Sequence, residues 1–452
     1  MEKLLLSEIG SALDRRINCD TVITGICTDT RKITAGCLFI ALKGENFDAH
    51  DFVPQAFECG AAACVTEREV VGFDCIVVES CRKALLDIAH YYRRKFNPFV
   101  VGVTGSVGKT TTKEFIYLVL SQKFKTLKTE GNFNNEIGLP WTLFNLTSEH
   151  EAAVIEMGMS NFGEISRLSQ TAQPHIGVIT NIGFSHIENL GSQVGILKAK
   201  LEIRDGVPTG VPLILNGDDP LLYKSADIYD MTFGIENPHL DCRASDITEC
   251  DGMTSFTAMY YNVKEMRREY LDITLPCIGR HNVLNALAAI CVGRKAGVPC
   301  DMITEAFKKY VPDSLRQNIS EKNGQTVITD CYNASPDSMR AALNVLSLIE
   351  CKGKRIAVLG DMLELGKMSA ELHELVGKTV ASVKLDMLFC YGEQSEYIHK
   401  TAQSLGVKSF WSADKNEIAE RLVQSAAVGD TVLFKASRGM RLEEIIQKVY
   451  EN

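Results

Sequence analysis

From Val100 to Phe115 the chain reads Val-Val-Gly-Val-Thr-Gly-Ser-Val-Gly-Lys-Thr-Thr-Thr-Lys-Glu-Phe, an apolar run, a glycine-bearing loop and the start of a helix. Gly105 and Gly108 allow backbone conformations and close approach that a side chain forbids, so successive N–H groups can converge on phosphate oxygens at a helix N-terminus. Ser106, Thr110 and Thr111 add hydroxyls, Thr110 being the one placed to meet a magnesium ion, and Lys109 adds a point charge for the outer phosphates. With Thr104 standing for the first glycine, three residues rather than the usual four separate it from Gly108-Lys109-Thr110. The preceding strand, the Lys-Thr-Thr and the following helix agree, and the expected ligand is a nucleotide.

Other polar residues follow apolar runs in the same manner. Residues 152–155 are Ala-Ala-Val-Ile and end in Glu156, a carboxylate where open α/β sheets bind ligands, so the expected role is magnesium binding. The run 176–180 leads to His186, which is balanced between a structural residue and a ligand; magnesium prefers oxygen, so a histidine ligand needs a special site or a second, softer cation position. In the expected helix 192–204, Lys198 and Lys200 lie roughly 200° apart, so both cannot face one site. Val194, Leu197 and Leu201 form one stripe, and Ile196 and Ile203 lie nearer Lys200, so the helix reads as buried on both sides and periodicity does not choose between the lysines. The glycine-bounded turn 131–140 holds several amide or acidic side chains, Asn135 among them, suited to a polar ligand. Asn282 and Asn285 share a face of the helix opened by Gly279; such amides read an adenine edge, and capping is the competing use for Asn282.

The elements that must position these groups are those of an α/β protein. The chain has 452 residues, a globular composition and a net charge of −9, with no strong basic run, which argues against a nucleic-acid surface. No stretch approaches the roughly 20 apolar residues of a membrane span, and three apolar residues near the N-terminus are too few for a signal-peptide core, so a cytoplasmic location is expected. Its 15 cysteines are scattered without a CxxC pair and read as small buried hydrophobes. Three domains are expected. Residues 1–97 form a small N-terminal α/β domain with strands at 36–42, 61–66 and 75–78; Thr30 and Arg31, and the turn 43–50 with Asp48 and His50, sit beside strand ends. Residues 98–313 form a central P-loop ATPase-type parallel sheet with helices, followed by short β-like runs over 232–275. Residues 314–452 form a C-terminal Rossmann-like α/β domain with strands at 326–329, 355–359, 387–390 and 431–434 and no GxGxxG.

Taken together, residues 28–31 with 47–50, 104–112, 131–140, Glu156-Met-Gly, 181–203, 279–289, Tyr332-Asn-Ala-Ser-Pro336 and Gly360-Asp-Met-Leu-Glu-Leu-Gly366 resemble the muramyl ligase family of peptidoglycan synthesis over almost the whole chain. The resemblance implies an N-terminal domain that holds a UDP-sugar, a central ATP-binding domain and a mobile C-terminal domain that closes over both. It implies an ADP-forming amide ligase that joins D-alanyl-D-alanine to the terminal carboxylate of UDP-N-acetylmuramoyl-tripeptide through an acyl phosphate, as a monomer. Lys109, Lys200, His186 and Asn135 would form the catalytic set; Thr110 and Glu156 would hold one magnesium, and His186 and Lys200 a second, Lys200 as its carbamate. Gly105, Ser106, Gly108, Thr111, Asn282, Arg316 and Asp330 would contact ATP, and Thr30, Arg31, Asp48, His50, Tyr332 and Asn333 the other substrates. The sequence departs from the family with Thr30 for serine, Ala49 for glycine and Ser335 for asparagine, and the Asp-Asn-Pro-Arg motif of diaminopimelate-adding members is absent. The rival readings are a lysine- or diaminopimelate-adding ligase, a P-loop switch, for which the guanine-reading Asn-Lys-x-Asp is missing, and a folate-type polyglutamate ligase.

Overall fold

Continuous apolar runs, rather than alternating ones, dictate strands buried on both faces and therefore parallel sheets covered by helices. The computed structural model describes residues 1–44, 47–250 and 252–451. Glu45 and Asn46, part of the turn 43–50, lie outside them. The chain divides into two compact units, one of Met1–Thr104, Lys123–Val178 and Leu201–Leu213, the other of Gly105–Gln122, Ile179–Lys200 and Ile214–Asn452.

In the first unit, Ile26–Cys27, Leu38–Ile40, Ala63–Thr66 and Cys75–Val77 pair in that order, all parallel. Their core gathers Cys37, Phe39, Ala41, Val53, Ala56 and Cys64. The helix Cys81–Arg93 starts where the Ser80 hydroxyl accepts from the Lys83 N–H. A second parallel set is ordered Phe99–Thr104, Ala152–Glu156, Thr126–Lys128, with Ile176–Ile179 on the other side of Phe99–Thr104. Val100, Val101, Val103, Val154 and Ile155 are fully buried.

In the second unit, the helix Lys109–Leu120 buries Phe115, Ile116, Val119 and Leu120, with Phe115 edge-on to Phe307 and Tyr310. The runs expected as short over 232–275 prove long. Cys242–Cys250, Met253–Asn262 and Arg267–Leu275 form an antiparallel meander. The polar breaks are its solvent face, since Met253–Asn262 alternates buried and less buried positions.

The C-terminal sheet has the order Asn318–Lys322, Gln325–Asp330, Thr431–Lys435, Arg355–Gly360, Met387–Tyr391, Ser409–Ser412, parallel apart from the first pair. The four strands expected are its middle. The two edges escape sequence reading because Asn318–Lys322 is polar and half exposed and Ser409–Ser412 is only partly buried. Among the described residues no helix is long and apolar enough to cross a membrane.

Candidate active site

The strand Phe99–Thr104 runs straight into the loop that its sequence predicts. Gly105 has φ +151°, and a Cβ there would lie 1.8 Å from Thr180 Oγ1; Gly108 has φ +84°, with Asn285 Oδ1 2.6 Å from the same point. Both must be glycine. Asn181 Oδ1 accepts from the N–H of Ser106 at 3.1 Å and of Val107 at 2.9 Å, and Thr180 Oγ1 donates to the Val107 carbonyl at 2.6 Å. Ser106 Oγ accepts from the Gly183 N–H at 2.9 Å. Lys109 Nζ folds back onto the carbonyls of Gly105 and Ser106 at 2.9 and 3.4 Å. The loop is thus held open by the carboxyl end of the next strand, with its cation poised over it. Thr110 and Thr111 lie in the first helical turn, where N–H groups lack intrahelical partners. Thr180 and Asn181 were not predicted as loop supports; their position just after a buried strand was the available signal.

The structure separates the two lysines. Lys198 is exposed and Lys200 only 2% exposed. The helix Gln193–Leu201 buries Ile196, Ala199 and Lys200 but leaves Val194 52% exposed, so it is buried on one side, not both. Burial, and then the charge of Lys109, push the Lys200 amine well below the usual lysine range. A dry amine beside a second cation favours its neutral form, which is the form that adds to carbon dioxide.

Glu156 is 2% exposed and pairs in register with Val103, the penultimate residue of the strand that enters the loop. Its N–H donates to Thr129 Oγ1 at 3.0 Å, and its Oε1 accepts from Asn134 Nδ2 at 2.8 Å. Asn135, expected in the catalytic set, uses Oδ1 to accept from the N–H groups of Ile137 and Gly138 at 3.1 and 2.8 Å, at the start of the helix Gly138–Phe144. The neighbour Asn134, which sequence reasoning did not single out, is the residue that reaches the Glu156 carboxylate. Among the described residues no three His, Cys, Asp or Glu side chains cluster at metal distance. A threonine hydroxyl and a carboxylate are each hard oxygen donors of the kind that magnesium takes alongside phosphate and water.

His186 has φ +61° and heads the one-turn helix Ile187–Leu190. Its Nδ1 lies 2.6 Å from Glu364 Oε2, and this pairing holds the Glu364 carboxyl below the usual range.

The helix Arg280–Lys295 has Gly279 at its N-cap, so Asn282 does not cap it. Asn282 Nδ2 donates to the Ile278 carbonyl at 2.9 Å and to Gln317 Oε1 at 3.1 Å. Asn285 Oδ1 accepts from Thr112 Oγ1 at 3.0 Å. Arg316 stacks on the Tyr332 ring at 3.8 Å, and Asp330 pairs with Lys435, 1% exposed, at 2.6 Å. Lys435 Nζ also donates to the Asn333 carbonyl, while Asn333 Oδ1 accepts from the Ala334 N–H. Ser335, the departure from the family's asparagine, caps the helix Pro336–Leu348 in a capping box. Gln317 was not foreseen, and Lys435 is marked only by its position just after the apolar run 431–434, which does not give its pairing with Asp330.

In the four-stranded part, Arg31 is 86% exposed at its side chain and bonds Asp29 through Nε and Nη2 at 2.9 and 2.8 Å, in the turn that contains Thr30. Asp48 Oδ1 lies 2.5 Å from His50 Nδ1, and His50 Nε2 accepts from the Glu67 N–H at 2.8 Å. Both ring nitrogens of His50 are therefore engaged in holding the turn.

A phosphate loop at a parallel-sheet edge, a dry lysine beside it and a following doubly wound sheet define a nucleotide-using transferase or ligase. Three family descriptions cover the chain: the Mur ligase family, catalytic domain at residues 22–93, the Mur ligase middle domain at 103–293, and the Mur ligase, glutamate ligase domain at 316–438. A UDP-N-acetylmuramoyl-tripeptide–D-alanyl-D-alanine ligase of Bacillus subtilis is 41% identical over 96% of this chain and 94% of its own. Among solved structures, MurF from Acinetobacter baumannii matches with a TM-score of 0.89 and 31% identity over 100% of both chains. MurF ligase from Thermotoga maritima in complex with ADP matches with a TM-score of 0.83 and 32% identity, over 94% of this chain and 96% of that one. The chain belongs to the Mur ligase family, and it is an ATP-dependent, ADP-forming ligase.

Proposed function

We propose that this enzyme joins D-alanyl-D-alanine to the terminal carboxylate of UDP-N-acetylmuramoyl-tripeptide in the synthesis of peptidoglycan precursors. The observation that carries the reading is that the likeness to D-alanyl-D-alanine-adding relatives runs the length of the chain, through the nucleotide loop and the C-terminal sheet alike. The tripeptide carboxylate attacks the γ-phosphorus of ATP, giving an acyl phosphate and ADP. The dipeptide amine then attacks the acyl carbon, loses a proton and expels inorganic phosphate. Lys109 leaves the carbonyls of Gly105 and Ser106 to neutralise charge on the transferring group. The loop N–H groups fixed by Asn181 orient the phosphates, so positioning supplies much of the rate.

Thr110 and Glu156 would hold one magnesium ion, and His186 with carbamylated Lys200 a second; the metal, when bound, supplies Lewis-acid neutralisation of developing charge. Carbamylation converts the buried neutral Lys200 amine and CO2 into an anion and a proton, which places a negative charge beside Lys109 where a protonated lysine would be disfavoured. Asn282 faces the base, and Arg316 and Asp330 approach the nucleotide as the C-terminal part closes. Thr30, Arg31, Asp48 and His50 shape the UDP-sugar site, Arg31 by direct contact and His50 through the turn it holds; Tyr332 and Asn333 serve the incoming dipeptide. The functional divisions fall at 97/98 and 313/314, and the enzyme works as a cytoplasmic monomer.

An acceptor panel tests the assignment. With ATP and the UDP-tripeptide, phosphate release is expected with D-alanyl-D-alanine and not with free L-lysine or diaminopimelate. Release with a free amino acid and none with the dipeptide would sink it.

A further inference from the structure

The Gln317 side chain makes three hydrogen bonds, all to the start of the helix that carries Asn282. Its backbone is left-handed, φ +49°, which a non-glycine residue adopts at a cost. The orientation of this network follows from one atom that can only accept. Asn282 Nδ2 at 2.9 Å and Gln317 Nε2 at 2.5 Å both end on the Ile278 carbonyl, so each amide must turn its NH2 toward that oxygen. Gln317 Oε1 is then an acceptor. It takes the second Asn282 N–H at 3.1 Å and faces His281 Nε2 at 3.0 Å, which assigns the proton of the half-buried, neutral imidazole to Nε2. Both N–H bonds of Asn282 are spent, and Asn282 is 3% exposed. Its Oδ1 receives only a long contact from Asn285 Nδ2, at 3.4 Å, and keeps a lone pair.

We propose that Gln317 is a specificity-determining residue: by clamping the Asn282 amide it leaves only an acceptor there, which selects a purine bearing a 6-amino group over one bearing a 6-oxo group. This rests on the reading above that Asn282 faces the base. Adenine offers its N6–H to such an acceptor, whereas a 6-oxo purine sets oxygen against oxygen. Without the clamp the second Asn282 N–H loses its acceptor and only the Ile278 carbonyl restrains the amide, so that N–H can turn to donate to the base and the distinction fades.

ATP and ITP differ at this position and are the probes. Phosphate release with the same UDP-tripeptide and dipeptide yields kcat/KM for each nucleotide in wild type, Gln317→Met, Gln317→Lys, Gln317→Glu and Asn282→Leu. Methionine keeps the bulk without an acceptor, and lysine keeps a donor for the Ile278 carbonyl without one, standing in should the methionine variant not fold. Both are expected to lower the ATP:ITP ratio about tenfold, the worth of one hydrogen bond. Glutamate, which retains an acceptor for Asn282, is expected to keep most of the ratio. Equal losses with both nucleotides in the Met and Lys variants, or a Glu variant that loses the ratio as fully as they do, would overturn the clamp. If Asn282→Leu leaves the ratio unchanged, the base-facing reading itself fails. If Asn282→Leu shifts the ratio and the acceptor-free Gln317 variants do not, only the clamp fails.

Discussion

The phosphate loop and the Asp29–Arg31 turn both present polar groups at a parallel-sheet edge, yet they are built in opposite ways. The loop draws its support from far along the chain, Asn181 lying 75 residues beyond Ser106 and Asn285 173 beyond Thr112. In the N-terminal turns the nearest partners are two residues apart, Arg31 with Asp29 and His50 with Asp48, and the longer bond from the Glu67 N–H to His50 spans only 17 residues. Long-range support fixes the loop only in the folded sheet and leaves it no freedom afterwards. Local support lets a turn keep its own shape while an exposed side chain such as Arg31 exchanges partners. On the proposed reading, the invariable part of the substrate, a polyphosphate, meets the region with long-range support.

Gly105→Ala strikes that rigidity hardest. The new methyl meets Thr180 Oγ1 at 1.8 Å on a backbone that L side chains rarely adopt, and the strain costs about 1–3 kcal/mol before any neighbour moves. Because the displaced atoms are the phosphate cradle, kcat/KM for ATP should fall by about a thousandfold or more, while melting falls by only a few degrees. Phosphate release and a thermal scan on one preparation check both; full activity in the Gly105→Ala enzyme would mean the loop is as adaptable as the N-terminal turns.

Lys200 comes next. Lys200→Met should remove about 10³ or more of the rate, by analogy with other charge-stabilising groups, with partial rescue by bicarbonate and a short-chain amine. Lys198→Met, on the exposed side of the same helix, should leave activity within about twofold. Intact mass of the native enzyme should carry one added CO2. Equal effects of the two substitutions would remove the distinction that burial draws between them.

Asn181→Ala should act more mildly, since the Ser106 N–H retains a bond to the Asn181 backbone carbonyl at 3.1 Å and only Val107 loses its acceptor. The expected result is a KM for ATP raised by about ten- to a hundredfold with a smaller change in kcat, read from initial rates.

What could be read from the amino-acid order follows the same division. The placements of the loop, Lys109 and Glu156 were legible because polar residues that directly follow a buried apolar run stand out, and the middle strands of each sheet because they are uniformly apolar. Periodicity could not choose between Lys198 and Lys200; burial does. It also mistook the solvent face of a long meander for breaks between short strands, and it missed the polar edge Asn318–Lys322. Asn134, Gln317 and Lys435 are ordinary polar residues whose meaning arises only from distant partners, Glu156, Asn282 and Asp330. No local pattern encodes such pairings.

The smallest expected effect sharpens the comparison from the other side. The hydrogen bonds of Arg31 lower the Asp29 carboxyl to about 2. A carboxylate held low in the folded state favours folding above its unfolded value near 3.9, and that contribution is lost as the pH falls toward about 2. At neutral pH it is fully present, but on a solvent-exposed pair it is screened, so Arg31→Ala should leave thermal melting at pH 7 unchanged. Carboxyl chemical shifts followed by NMR should instead show Asp29 titrating nearer 3.9 in the variant. If Arg31 exchanges Asp29 for the UDP-sugar, the KM for that substrate rises about tenfold at nearly constant kcat, the sign of an interaction equal in ground and transition states. A normal KM with the Asp29 shift intact would reduce this to an ordinary solvated turn, and recognition would then have to come from residues that, like those of the loop, are assembled from a distance.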